Sequence, residues 1–561
     1  MDDRLKSGGF APRAMSRRTA LARLGWGSAT VVALLPSVAC AQTERPEGDD
    51  DALLARILAG PEPVIPRREQ PYRLTRTLPI EGGKTVLLQR GTHIVWAGAL
   101  SQDGLPIGVF EAGGDDVTLA TAEGGEAVVE CETPSSRVYA ALMRGRRGFT
   151  VRNIRSLDCQ HVYIGAAVEP YEAIRTEGAG SNVARDVRIS GGGARFRSLP
   201  EEGRGACFLA YVIGAHVTDV DYETVGTGVQ WWGGDSGLDS WQNGARANER
   251  KCRDVLIERA SVKHSLVGGI WGSMGHDITV RDCQVAECLD IGFDAEGCDK
   301  VTFERCVARN GHNGCFTIFA LNDDIRFVDC RGTVDKKNYP LFRVYNVTQS
   351  NAENRRVTVE GGHFECLDQT GPSTLDCASG PVRELSITNA TLRNVRIDTV
   401  FLNMHRTVIA DNELTFPLPL SSAAAIRAGS SQGTPDVPGG ATVANNRIHY
   451  AVAAREAASA DAPVAIEMVE NDYNSNATST VVGNVISGPF ALGIVLVNAS
   501  ANAGIVPLFE ISGNRFEGLA RSAELLRVDL QGEQARAPAV RWDERQTRDG
   551  KAVGQVRALV R

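Results

Sequence analysis

The stretch GGIWGSMGHDITVRDC (268–283) is followed by two segments of the same form, IGFDAEGCDKVTFERC (291–306) and CFTIFALNDDIRFVDC (315–330). Each has a short apolar run, a turn containing Gly, Asn or Asp, and a second run in which apolar and polar residues alternate. Alternation with period two is typical of a β-strand with one buried side. A unit that recurs every ~20–25 residues predicts a solenoid whose coils stack on one another.

The repeat continues toward both ends of the chain. A fourth segment, LFRVYNVTQSNAENRRVTVEGG (341–362), follows directly, and shorter passes such as YVIGAHVTDVDYETV (211–225) precede it. Later passes carry an Asn at one bend, at positions Asn412, Asn446, Asn484 and Asn514. An Asn at the same bend of every coil can bond its neighbours above and below, so we predict an asparagine ladder.

Thirteen cysteines would suit a disulfide framework, but their spacing favours stacked thiols. Cys283, Cys306 and Cys330 each end a strand-like run, 23 and 24 residues apart. We predict that they stack as buried, unbonded thiols. Cys366 and Cys377, in a loop-like stretch, are the best candidates for a disulfide. No set of Cys and His has the spacing of a zinc site.

Together with the opening GGKTVLLQRGTHI (82–94), the repeat resembles the right-handed parallel β-helix of the pectin-lyase-like superfamily over residues 72–520. The resemblance implies an all-β solenoid with terminal caps. We assign residues 42–71 to an acidic linker and N-terminal cap with a short helix, and residues 521–561 to a C-terminal cap or tail. The catalytic motifs of polygalacturonases are absent, and GHNG (311–314) only loosely resembles their Gly-His-Gly.

Composition excludes several classes of protein. With 43% hydrophobic residues the chain can build a core, so it is not a disordered protein. The net charge of −8 gives no overall basic field, which argues against nucleic acid or an anionic membrane surface as partner. A polyanion would need a local basic cleft. We expect a monomer that binds a polysaccharide.

Residues 1–41 are predicted to be an export signal of the twin-arginine type. Arg17-Arg18 precedes an apolar run over 29–35, which is too short for a stable membrane span. Cleavage after Ala41 is favoured over lipoprotein anchoring through Cys40. Removal of residues 1–41 takes away six Lys/Arg and two Asp, which moves the net charge from −8 to −12. We therefore expect a soluble protein in the periplasm or outside the cell.

The candidate site lies on the strand around residue 294. Asp290, Asp294 and Glu296 alternate with apolar residues, so we predict that they share its outward side, facing a solvent groove. Alignment of neighbouring coils places Ile318 opposite Phe293. The first predicted outward row is Gln230, Trp271, Asp294, Phe319 and Arg343; the second is Trp232, Ser273, Glu296, Leu321 and Tyr345.

Aromatic side chains beside carboxylates favour a sugar-binding groove, because aromatic rings pack against the apolar faces of pyranoses. We therefore assign substrate binding to Gln230, Trp232, Trp271, Phe319 and Tyr345. The alternative is that the aromatic side chains only cover the sheet. Likewise, the acids could be a solvated strand paired with Arg or Lys.

Two chemistries fit the acids. In hydrolysis, one carboxyl group protonates the leaving oxygen and the other activates water; residues two apart on a strand lie ~6.5–7 Å apart, near the ~6.5–9.5 Å of inverting glycosidases. In elimination, Asp290, Asp294 and Glu296 hold Ca²⁺, which binds a uronate carboxylate while Arg343 or Tyr345 removes the α-proton. Hydrolysis is favoured because Arg stays protonated in water and is therefore a poor general base.

Two further hypotheses complete the sequence-based picture. His312 opens the next coil at a bend, where it could assist proton transfer or simply occupy a turn. The whole protein could also be a non-catalytic β-helix that binds glycan or serves as an envelope surface module. Clustering of acids, Arg and aromatic residues between 228 and 346 favours an enzyme, because a binder could spread its aromatic residues along the whole body.

Overall fold

The chain forms the predicted all-β parallel β-helix. The computed structural model describes residues 49–100, 105–166, 183–234, 252–319, 321–345, 353–378, 380, 382–400, 406–420, 423–430, 439–452, 463–470, 478–499, 506–520, 522–531, 537–543, 545–553 and 559–560. Within these residues each coil contributes a strand to each of three parallel sheets, which we number in the order in which a coil passes through them.

Sheet 1 contains the strands Val64–Ile65, Thr85–Leu88, Thr118–Thr121, Val212–Thr218, Cys252–Glu258, Gly275–Arg281, Asp299–Glu304, Asp323–Val328, Arg355–Glu360, Glu384–Thr388, Arg406–Ala410, Gly440–Ala444, Thr478–Val482, Leu508–Ser512 and Ala539–Trp542. Sheet 2 contains Tyr72–Leu74, His93–Trp96, Asp221–Val225, Ser261–Ser265, Gln284–Cys288, Val307–Arg309, Arg331–Val334, His363–Cys366, Thr391–Arg393, Glu413–Phe416, Arg447–Tyr450, Val485–Ser487, Arg515–Glu517 and Thr547–Arg548.

Sheet 3 contains Leu78–Ile80, Ile107–Ala112, Gly205–Ala210, Thr227–Trp232, Gly268–Ser273, Ile291–Glu296, Gly314–Phe319, Phe342–Tyr345, Ser373–Asp376, Val395–Asp398, Ala424–Ser430, Val464–Glu470, Leu492–Asn498, Glu524–Leu530 and Leu559–Val560. Three long strands pass from one sheet to the next without a break: Ala127–Arg144, Thr150–Gly165 and Ala184–Arg195. Among the described strands, only Lys551–Ala552 pairs antiparallel, with Thr547–Arg548.

The interior is filled by the apolar residues of the alternating pattern. In the strand Ile291–Glu296, Phe293 is fully buried and stacks on Phe316 of the next coil, with ring centroids 5.3 Å apart. Phe303 and Phe327 stack in the same way at 4.9 Å. Stacks of this kind follow from parallel strands in register, because equivalent residues of successive coils lie ~4.8 Å apart.

The N-terminal end is covered by a helix, Asp49–Ala59, which buries Leu54 and Leu58 in the same core. Arg68 binds Asp50 of this helix through two hydrogen bonds of 2.8 and 2.6 Å. A single 3₁₀ turn, Ala122–Gly124, is also present among the described residues. Parallel pairing extends on both sides of 72–520, from Val64–Ile65 to Leu559–Val560.

The predicted cysteine and asparagine ladders form one continuous column at the corner between sheets 1 and 2. Backbone hydrogen bonds join its members coil by coil through Ala260, Cys283, Cys306, Cys330, Gly362, Ala390, Asn412, Asn446, Asn484 and Asn514. The residue before each member from Cys283 onward has a positive φ, and the later coils fill that position with Asn, Asp or Gly, such as Gly483 and Gly513. This left-handed residue turns the chain and points the next side chain inward.

Both ladders have the predicted chemistry. Nδ2 of Asn412, Asn446 and Asn484 donates to Oδ1 of the next Asn along the column at 2.9–3.0 Å. Cys283, Cys306 and Cys330 are buried free thiols. The predicted disulfide is wrong, since Cys366 and Cys377 are also free and buried. The "loop" that suggested it includes the strand Ser373–Asp376, so both cysteines fill the core.

Candidate functional site

The candidate site lies on the outward side of sheet 3, where the strand Ile291–Glu296 pairs with Gly268–Ser273 and Gly314–Phe319. Strand alternation sends Phe293 and Ala295 inward and Asp294 and Glu296 outward, as predicted. The first observed outward row is Gln230, Trp271, Asp294, Thr317 and Arg343. The second is Trp232, Ser273, Glu296, Phe319 and Tyr345.

One strand of this prediction is wrong by two residues. Phe316, and not Ile318, lies opposite Phe293, so Phe319 belongs to the row of Glu296 and Thr317 replaces it beside Asp294. The turn after this strand, which contains Leu321 with φ of 65°, is one residue longer than the turn after Glu296 and accounts for one of the two residues. Since a shift of two preserves the alternation, the inward and outward sides were still predicted correctly.

The outward side is not an open groove at its centre. Asp294 is 0% exposed, and Gln230, Trp271 and Glu296 are each 7% exposed, so the expectation that this acidic strand faces solvent is wrong. Alternation specifies the side of a sheet on which a residue lies, but not what covers that side. The wall of the site that reaches solvent consists of Trp232, Arg343, Phe319 and Tyr345, which are half-buried.

Hydrogen bonds fix several side chains of the two rows. Nε1 of Trp271 donates to Oγ1 of Thr227 at 3.3 Å, and the amide N–H of Gly205 donates to Oε1 of Gln230 at 3.1 Å. The hydroxyl of Thr317 donates to the carbonyl of Phe293 at 3.2 Å. Held on rigid strands, these groups define a fixed surface beside the two carboxylates.

Arg343 is held by a neighbour that the sequence did not indicate. Its Nε lies 3.3 Å from Oδ2 of Asp376, the next residue of the same row, and its guanidinium lies 4.9 Å from the ring centre of Tyr345. The hydroxyl of Tyr345 donates to the carbonyl of Asn313 at 2.9 Å. Asp376 sits on a short strand inside a segment that looked like a loop, which is why it was missed.

Asp290 and His312 lie away from the acid pair, at the corner between sheets 2 and 3. Asp290 accepts a hydrogen bond of 2.7 Å from Nδ2 of Asn313. It lies four positions before Asp294, ~13 Å away along an extended chain. The ring of His312 stacks on Tyr339 at 4.5 Å, and burial, followed by the nearby charge of Lys336, lowers the pKa of His312.

This separation bears on the calcium hypothesis. Within the described parts of the chain, no three His, Cys, Asp or Glu side chains are grouped so that they could hold a metal ion. The structure therefore does not bring Asp290, Asp294 and Glu296 together as a calcium site formed by these residues. It does bring Asp294 and Glu296 together with the predicted aromatic residues.

An aromatic patch continues the first row on the coils before the site. The row extends from Gln230 through Phe208, Tyr163 and Leu142, and the rings of Tyr163 and Phe208 stack at 5.5 Å. Tyr139 packs edge-on against Tyr163 at 5.2 Å. Tyr163 and Phe208 lie in the row of Gln230, and extension of the predicted row to those coils would have found them.

The structure was compared with known proteins. It is similar to the A-module of mannuronan C-5 epimerase AlgE6 from Azotobacter vinelandii, with 14% identity, a TM-score of 0.37 and coverage of 83% of this chain and 91% of that chain. It is also similar to the N-terminal fragment of gene product 12 of bacteriophage Phi29, with 9% identity, a TM-score of 0.45 and coverage of 88% and 91%.

A third similar structure is DFA-IIIase from Arthrobacter chlorophenolicus A6, with 9% identity, a TM-score of 0.29 and coverage of 78% of this chain and 84% of that chain. No protein-family model and no curated protein matches the sequence. At such low identities and TM-scores, the similarities assign no activity to this chain. The described part of the chain contains no helix long and apolar enough to span a membrane.

Proposed function

We propose that the protein is a carbohydrate-active enzyme that hydrolyses glycosidic bonds of a polysaccharide on the outward side of sheet 3. The observation that carries the proposal is a pair of nearly buried carboxylates, Asp294 and Glu296, on one strand, with Trp271, Phe319 and Tyr345 on the same two rows. A solvated acidic strand would expose its carboxylates, so that alternative loses its support.

The reaction divides between the two carboxyl groups. Their strand positions are ~6.5–7 Å apart, close to the ~6.5–9.5 Å that leaves room for a water molecule in inverting glycosidases. One group donates a proton to the leaving glycosidic oxygen as its bond to the anomeric carbon breaks. The other accepts a proton from the water whose oxygen bonds to that carbon. Glu296, the more exposed, is assigned to the leaving oxygen of the polymer, and the fully buried Asp294 to the smaller water molecule.

Elimination is the less favoured chemistry. A base must be unprotonated, whereas the guanidinium of an arginine stays protonated in proteins. That of Arg343 lies against the carboxylate of Asp376 and over the ring of Tyr345. The hydroxyl of Tyr345 is engaged with Asn313. These contacts suit Arg343 and Tyr345 for holding a substrate rather than for removing a proton.

Export through the twin-arginine route is part of the same proposal. Residues 1–41 carry the signal-like pattern, and large polysaccharides are met outside the cytoplasm. Buried free thiols suit a protein that folds in a reducing compartment before transport.

The test is incubation of the purified protein with a panel of polysaccharides, with and without a chelator. New reducing ends and absorbance at ~235 nm, which reports the conjugated double bond left by elimination, are read in parallel. We expect chelator-resistant release of reducing ends without absorbance. Absorbing product would contradict hydrolysis, and no release from any polymer would favour the non-catalytic binder.

A further inference from the structure

Six charged side chains cover the outward side of sheet 3 on the coils that follow the acid pair. We call them the ionic patch: Arg343, Asp376, Arg396, Asp398, Arg427 and Glu467. Five of them continue the row of Asp294 in register, through the pairs Arg343–Asp376, Asp376–Asp398, Asp398–Arg427 and Arg427–Glu467. Arg396 lies two residues before Asp398, on the same side of its strand.

The carboxylates of the patch are held by the backbone. Oδ1 of Asp376 accepts a hydrogen bond from the amide of Ala378 at 3.2 Å, and Oδ1 of Asp398 accepts one from the amide of Val400 at 3.3 Å. Both bonds span two residues, as in an Asx turn. In each of the two carboxylates, Oδ1 accepts a backbone hydrogen bond at the end of its own strand, and Oδ2 faces the arginines.

The arginines, in contrast, are poorly satisfied. Arg343 contacts Asp376 at 3.3 Å and Arg396 contacts Asp398 at 3.5 Å, yet their Nε atoms are buried and have no hydrogen-bond partner in the described chain. Asp398 is shared with Arg427, at 3.8 Å. Between described residues, the guanidinium groups of the patch make one hydrogen bond, from Nε of Arg427 to Glu467 at 2.9 Å.

Arginines elsewhere on this protein show what a saturated pair looks like. Arg305 binds Asp282 through Nε and Nη2, both at 2.8 Å. Arg527, in the same outward row as the patch, binds Asp529 through Nε at 3.1 Å and Nη2 at 2.7 Å. If the ionic patch only stabilised the stacked coils, its arginines would be expected to form such bidentate hydrogen bonds with the carboxylates.

Partial burial makes the unused donors costly. The side chains of Arg343, Arg396 and Arg427 are 30%, 20% and 37% exposed, so water satisfies them only in part. Burial is also the largest cause of the lowered pKa of Arg396. An anion with two oxygens would satisfy a planar guanidinium through parallel hydrogen bonds.

We propose that the ionic patch binds the anionic groups of an acidic polysaccharide, carboxylates or sulfate esters, and that this polymer is the substrate cleaved at Asp294 and Glu296. The inference rests on the proposed function. Coils step by ~4.8 Å, so Arg343 lies ~10 Å and Arg427 ~24 Å from Asp294 along the row. A chain parallel to the solenoid axis can therefore contact the acid pair and the patch together. The patch has three Arg against three acids, so what it offers a polyanion is the hydrogen-bond donors of its guanidinium groups and not a net positive charge.

The test measures binding separately from cleavage, by using the Glu296→Gln protein as the background. Titration calorimetry would compare polygalacturonate, dextran sulfate and dextran, so that the carboxylate, sulfate and neutral arms are distinguished. Arg396→Gln and Arg427→Gln are the test variants. Arg393→Gln is the control, because Arg393 lies on the same coil but on sheet 2, paired with Glu365 at 3.1 Å. Melting curves check that each variant is folded.

We expect one or both anionic polymers to bind at least 10-fold more tightly than dextran. Each test variant should weaken that binding about 10-fold, and Arg393→Gln should not change it. Arg396→Lys keeps the charge but not the planar fork and should recover only part of the affinity. Equal binding of dextran, absence of anionic binding, or wild-type affinity in both test variants would overturn the proposal. The titration measures binding and not cleavage. Failure of the anion-binding proposal can therefore be distinguished from failure of the proposed function.

Discussion

Removal of one asparagine from the corner column should destabilise the solenoid strongly. Asn446 is 0% exposed and takes part in four side-chain hydrogen bonds. Its Nδ2 donates to Ile409 O at 2.9 Å and to Asn484 Oδ1 at 3.0 Å. Its Oδ1 accepts from the amide and the Nδ2 of Asn412, both at 3.0 Å. The Asn446→Ala substitution removes all four bonds.

The expected cost follows from these contacts. A net value of ~1 kcal/mol per hydrogen bond gives ~4 kcal/mol for the four. The loss is uneven, because Nδ2 of Asn412 still binds Ile387 O while its backbone N–H loses its acceptor. A buried donor left unpaired costs ~1–3 kcal/mol. We therefore expect the free energy of unfolding to fall by about 3–5 kcal/mol.

The assay is urea-induced unfolding followed by far-ultraviolet circular dichroism. Since long repeat arrays can depart from two-state behaviour, hydrogen exchange at the Asn412 amide provides a local reading. The matched control is Cys306→Ala at the same corner, where the thiol makes only weak contacts of 3.4 and 3.6 Å with carbonyls. We expect that control to cost ~1 kcal/mol or less. A similar small loss for Asn446→Ala would refute the assigned role of the ladder.

Three other predictions concern thiols, pH and the substrate wall. The described cysteines are buried and unbonded, and burial raises the pKa of Cys207 to about 12. Thiol reagents should therefore react with them only after denaturation. A Cys366–Cys377 disulfide in a peptide map would contradict this prediction. Burial lowers the pKa of His161 to about 3, whereas a histidine of the unfolded chain has a pKa of ~6.5. As the pH drops below ~6.5, the unfolded state binds a proton that the folded state does not, so the free energy of unfolding should fall. The slope from this residue reaches at most ~1.4 kcal/mol per pH unit, and His161→Gln should remove it from the pH dependence of the urea midpoint. Arg343→Lys should raise KM about 10-fold and change kcat little, and a loss confined to kcat would contradict a substrate-holding role.

The sequence predicted the solenoid because period-two alternation and a recurring corner residue are local signals. Cys283, Cys306 and Cys330 mark one corner of successive coils, and their spacing alone sets the register of sheets 1 and 2 there. The same signal failed for Phe316, because a longer turn lies between the strand in sheet 3 and the next corner. The spacing of the cysteines gives only the total length of a coil. The register of the sheet 3 strands also depends on which turn of the coil contains the extra residue.

Burial of the candidate site could not be predicted in the same way. Alternation correctly placed Asp294 and Glu296 outside, but it does not encode how far a side chain is exposed on that side. The sequence indicated Arg343 but not the other members of the ionic patch. Asp376, Arg396 and Asp398 lie on the strands Ser373–Asp376 and Val395–Asp398, and four residues give too little alternation to identify an outward side.

The measurement that tests the central claim most directly is the rate of reducing-end release by Asp294→Asn and Glu296→Gln on the polysaccharide that the wild type cleaves. Glu304→Gln is the control, because Glu304 lies on the next strand of the chain but on sheet 1. We expect each site variant to lose about 10²–10⁴-fold in rate. Melting temperatures should stay unchanged or rise, because removal of one carboxylate relieves repulsion between like charges. Full activity in both site variants, with the protein folded, would contradict the assignment of Asp294 and Glu296 as the catalytic pair.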